Sequence, residues 1–113
     1  MTETTEKLWE LKRTDESRMV EDFLRRAGFE QVDAYRYNLA SLRVRVIDAK
    51  FEGLSDEDRD GLVEPFIHQL PEDTQSDIVS LYTFAPSDLT LSKKTLSEIL
   101  FNDEFENPSP SIL

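Results

Sequence analysis

The sequence predicts an α/β sandwich of the α+β kind, in the order α-β-β-α-(α)-β-α, with one three-stranded mixed sheet covered by helices on one face. Three observations carry this. An apolar stripe at spacings of three and four (Met19, Val20, Phe23, Leu24, Ala27) is followed by two short runs of β-branched and aromatic residues. The second run alternates: Leu42, Val44 and Val46 point one way, Arg43, Arg45 and Ile47 the other. A helical pattern of about two dozen residues then leads to a third strand-like run, Asp77 to Phe84, a span that suits a right-handed crossover to a parallel neighbour.

Each element has its own signals. Thr14 or Asp15 caps a helix over 16–27, and Gly28 stands where a glycine in the left-handed region ends one. Residues 30–37 and 41–47 lie close enough for an antiparallel hairpin, with Asn38 in the turn. Ser55 caps the next helix, with Asp58 three residues on and acids in the first turn, where the helix dipole favours them. Leu62, Val63, Phe66, Ile67 and Leu70 form its apolar stripe. Pro65 lies inside that stripe, which predicts a kink or a split into two helices, and Pro71 closes the region. A weaker helix is expected near 92–101. Residues 1–13 read as a polar segment to which Leu8, Trp9 and Leu11 add an apolar contact, 14–101 as a single domain, and 102–113 as a tail without regular pattern.

Composition narrows the function. The chain has 113 residues, 33% of them charged, a net charge of −11 and no cysteine. Without thiols there is no disulfide framework, no thiolate zinc site and no self-supplied cysteine-ligated iron–sulfur cluster. Residues 50–77 hold two Lys/Arg against nine Asp/Glu and so supply −7 of the total. That disfavours general affinity for a phosphate backbone, which clustered Lys and Arg supply. No signal-peptide core or membrane-length apolar run occurs, so a soluble cytoplasmic protein is the expectation. Catalytic signatures are missing: no Cys nucleophile, second His, nucleophile elbow, P-loop or dinucleotide fingerprint. No enzyme and no cofactor is expected.

The order of elements, together with the stretch VRVIDAKFEGLSDEDRDGLV, resembles the BolA family, whose fold is similar to the type II KH arrangement. Phe51 and Gly53 match the family's F-x-G turn. Arg59 matches the first arginine of its Arg-His-Arg motif on the crossover helix, and Leu62-Val63 the apolar pair after it. IVSLYTFAPSDL is similar to the family's third strand and the start of its last helix. The resemblance spans roughly residues 17–89. It implies a non-enzymatic partner of monothiol glutaredoxins that shares a two-iron two-sulfur cluster, with links to stress response and transcriptional regulation, acting as a monomer or weak homodimer. The family's cluster ligands are absent. Asp60 and Gly61 replace the motif's His and second Arg, Val79 occupies the third-strand ligand position, and the hairpin loop 36–41 has neither His nor Cys. Shared ligation is therefore not expected, and Arg59, Asp60, Val79 and Leu81 are the candidate partner-contact residues.

Other candidates weigh less. Arg59 also reads as a helix residue paired with a neighbouring acid such as Asp56. His68, the single histidine, lies on the crossover helix away from both family ligand positions and reads as structural. Tyr35, Arg36, Arg43 and Arg45 form the one basic, aromatic-interleaved strip, which supports an alternative function as a KH-like nucleic-acid-binding regulator. Gly28, Gly53 and Gly61 do not form the G-x-x-G loop such a groove needs. DEDRDG (56–61) imitates the start of a calcium loop, but Ile67 stands where the bidentate Glu is due, so no metal site is expected.

Overall fold

A computed structural model describes residues 7–90 and 96–111. Its elements are α1 (Asp15–Arg26), β1 (Gln31–Asn38), β2 (Ser41–Ile47), α2 (Asp56–Ile67), α3 (Glu72–Asp77), β3 (Ile78–Phe84) and α4 (Leu96–Glu106), with 3-10 turns at Leu8–Lys12, Ala49–Phe51 and Pro86–Leu89. The predicted order and mixed sheet are present. β2 is central, antiparallel to β1 and parallel to β3.

Local chemistry sets the boundaries. The Thr14 hydroxyl accepts the Ser17 amide at 3.1 Å, and the Ser17 hydroxyl accepts the Thr14 amide at 2.9 Å, a reciprocal cap that starts α1. Ser55 accepts the Asp58 amide at 3.2 Å and starts α2. Gly53 has φ 76°, which lets the chain turn sharply after the buried Phe51. Pro65 does not split α2, which runs unbroken to Ile67. The carbonyl that Pro65 leaves without its helical donor belongs to Gly61, which is exposed to solvent. A separate α3 follows after Pro71.

The main core packs Val20 and Leu24 of α1, and Val63 and Ile67 of α2, against Val32, Ala34, Val44 and Val46 of the sheet. This is the predicted helix-covered face. The opposite face, expected to be solvated, is covered as well. Trp9, Tyr35, Tyr82, Phe84 and Phe105 form a second buried cluster there. Phe105 is the reason. Its ring lies 4.9 Å from Tyr35 and 5.5 Å from Trp9, and its carbonyl accepts the Tyr35 hydroxyl at 2.8 Å. Burying a ring of that size contributes about 2–3 kcal/mol. Residues 102–106, expected to be irregular, are therefore the last turns of α4.

Candidate functional site

The sheet has two edges, and they are finished differently. On β1, the outward Ala34 amide donates to the Glu21 carboxylate at 2.8 Å, and the Val32 carbonyl accepts from Arg25 at 2.8 Å. Side chains of α1 thus occupy two of the outward hydrogen-bonding groups of that edge. β3 forms the other edge. Its Phe84 carbonyl accepts the Asp48 amide at 3.0 Å on the β2 side, whereas the Thr83 carbonyl takes Arg59 at 3.4 Å. Backbone alternation then turns the amide and carbonyl of Leu81 outward, as in Thr83. Among the described residues, no hydrogen bond from outside the sheet reaches the backbone of Val79 or Leu81. The pairing of β2 with β3 is irregular between Leu42 and Arg43, so Val79 is an extra, bulged residue, 68% exposed.

A groove follows this open edge. One hollow of about 680 Å³ lies between Asp56, Asp60 and Asp88 on one bank and Leu100, Phe101 and Glu104 of α4 on the other. A second, about 730 Å³, includes Glu64, His68, Val79 and Ser80. Asp60, Leu81 and Phe101 line both, so the two are continuous. Val79, Leu100 (59% exposed) and Phe101 (47%) give the groove apolar surface. Asp56, Asp60 and Glu64 repeat every four residues along the α2 bank, and none forms an ion pair among the described residues. The Asp60 carboxyl is pushed above its ordinary pKa by burial, then by the neighbouring Glu64 and Asp56 charges, although Thr83 donates to it at 3.4 Å. The bank is thus a concentrated negative surface.

The predicted contact residues divide. Asp60, Val79 and Leu81 meet in the second hollow. Arg59 turns inward: it is buried, donates to the Leu54 carbonyl at 2.9 Å and pairs with Asp88 at 2.5 Å. The acid it pairs with is 29 residues away in sequence and not a helical neighbour such as Asp56. It pins α2 to the turn after β3 and forms one wall of the groove. His68 is exposed and lines the same hollow as Val79, which corrects the expectation that it lies apart from that position.

The basic strip is committed within the chain. Arg36 binds Glu16 at 2.6 Å and Asp77 at 2.8 Å. Arg43 binds Glu104 at 2.8 Å and lies 3.7 Å from the Tyr37 ring centroid. Arg45 is buried between Asp33 and Glu106, both at 2.7 Å, and Tyr35 is wholly buried with its hydroxyl pKa pushed up to about 12 by burial. These four residues hold α4 and α3 to the sheet and offer no free cationic face.

Sequence reasoning missed Leu100 and Phe101. A signal exists, since Ile99, Leu100 and Phe101 are consecutive and one helix face cannot bury all three. All three are exposed. For a shared iron–sulfur cluster the groove offers one imidazole, His68, in the hollow that Val79 also lines. Val79 offers no donor atom, and among the described residues no group of three or more His, Cys, Asp or Glu is placed to hold a metal ion. No protein-family model matches the chain, and no curated protein or solved structure matches it either.

Proposed function

We propose that this chain is a non-enzymatic protein-contact domain, BolA-like in plan, whose partner docks in the groove between α2, β3 and α4. One observation carries the proposal: a sheet edge left, among the described residues, without a strand partner and flanked by exposed apolar side chains, while α1 side chains bond the other edge. Edges of this kind are normally blunted or covered, and exposed apolar patches beside them mark interaction sites. The resemblance names a monothiol glutaredoxin as the first partner to test, with contact that involves no shared cluster. The acidic bank requires the docking surface of any partner to be basic or neutral.

The test is site-specific photo-crosslinking in the native cell. A photoreactive residue at Val79 is expected to trap a protein, and excess unlabelled chain is expected to compete it away while the Val79→Asp chain does not. The exposed Leu39, in the β1–β2 turn, is the control. Equal trapping at Leu39, or trapping at neither position, would contradict the proposal.

A further inference from the structure

We propose that the open edge of β3 accepts an extended segment of the partner as a fourth strand, in which basic and apolar residues alternate. This rests on the protein-contact proposal above and adds the form and chemistry of what binds. The form follows from the backbone. The outward amide and carbonyl of Leu81 are a template for strand addition, the mode in which main-chain hydrogen bonds supply affinity and alternate side chains supply specificity. Arg59 already occupies the Thr83 carbonyl, so the added strand is short, roughly five residues centred on Leu81.

The chemistry follows from the two banks. Successive side chains of a strand point to opposite faces of the sheet. α2 packs on one face through Val63 and Ile67, and α4 on the other through Phe105 and the Phe101 ring, stacked 4.3 Å from Tyr82. On the α2 side the added strand meets Asp56, Asp60 and Glu64, carboxylates without cationic partners among the described residues. On the α4 side it meets the apolar Leu100 and Phe101, beside Glu98 and Glu104, the latter neutralised by Arg43. Lysine or arginine at every second position, with aliphatic residues between, satisfies both banks at once. A second copy of this chain fits poorly. Edge-to-edge pairing would set the same carboxylates against each other on molecules of charge −11.

The probe is a labelled synthetic peptide of about seven residues that alternates lysine and valine, titrated into the full chain by fluorescence anisotropy. Replacing its lysines by glutamates is expected to weaken binding at least about tenfold, and so is raising salt from about 0.05 to 0.3 M. Two further peptides are N-methylated on one or the other alternating set of amides. At least one of them is expected to lose about tenfold or more, because its bonds to β3 cannot form. Amide exchange with bound peptide is expected to slow at Leu81 and to stay unchanged at β1. Asp60→Asn with Glu64→Gln is expected to weaken binding about tenfold while the fold is retained.

Undiminished binding of both methylated peptides would overturn strand addition and leave the protein-contact proposal standing. Equal affinity for the glutamate peptide would overturn the basic preference, and protection on β1 would overturn the site. Failure of every peptide to bind would overturn the inference even if crosslinking at Val79 succeeds. A homodimer in sedimentation that the peptide dissociates would identify a second copy as the occupant and overturn it as well.

Discussion

The two edges of one three-stranded sheet are treated in opposite ways. At β1, Glu21 and Arg25 of α1 supply the acceptor and donor that a neighbouring strand would have supplied. Glu21 is buried and held in turn by Arg13 at 3.0 Å. At β3, among the described residues, only the Thr83 carbonyl is occupied, by Arg59, and the edge beside it opens into a groove with unpaired carboxylates on the α2 bank and, on the α4 bank, the apolar Leu100 and Phe101 beside Glu98 and the Arg43-bound Glu104. A chain with the means to close an edge has closed one. That contrast is what supports the proposal that the remaining edge meets a partner, because an open strand edge invites pairing.

Breaking the closed edge is expected to have the largest effect. Glu21→Ala leaves the buried Ala34 amide without an acceptor and removes the anion that Arg13 binds, so it is expected to cost about 3 kcal/mol in urea unfolding. Arg59→Met is expected to cost less, about 2 kcal/mol. It frees the Thr83 and Leu54 carbonyls and the Asp88 carboxylate, but these lie near solvent at the groove. The same variant opens the Thr83 carbonyl, so it is also expected to lengthen the available edge and tighten binding of the lysine–valine peptide. Loss of peptide binding by a folded Arg59→Met chain would count against strand addition.

The smallest effect is expected at Asp60. Its pKa is raised in the folded chain, so the stability its protonated form provides is fully present below the unfolded value near 3.8 and is lost as pH rises through the folded value. At neutral pH the ionised carboxylate opposes folding slightly. Asp60→Asn is expected to stabilise the chain there by less than about 0.5 kcal/mol, with the gain vanishing in acid. Urea midpoints of both chains against pH check the sign. Weaker binding together with unchanged or higher stability would separate a contact role from a structural one.

The same contrast explains what was legible in the sequence. Caps at Thr14 and Ser55, the stripe of α1 and the alternation of β2 are local patterns, and they sit where sequence periodicity puts them. The covering of the second face was not legible. Phe105 is a lone aromatic among acids in NDEFEN, and Arg43 and Arg45 read as the solvated side of a strand until residues about sixty positions on lie against them. Alternation reports that a strand has two faces; it does not report whether a distant helix covers the polar one. At the groove, the resemblance singles out Asp60, Val79 and Leu81, which line one hollow. The α4 bank is not legible there, because the sequence predicts that helix only near 92–101 and assigns its consecutive apolar triplet no neighbour. The inward turn of Arg59 depends on Asp88, a partner no helical spacing relates to it.

Amide hydrogen exchange of the free chain compares the two edges within one molecule and tests the central claim most directly. The Ala34 amide, bonded to buried Glu21, is predicted to exchange only when the domain unfolds, whereas the Leu81 amide, facing the groove, is predicted to exchange orders of magnitude faster. Protection at Leu81 equal to that at Ala34 would show the β3 edge to be closed within the chain itself and would contradict the account.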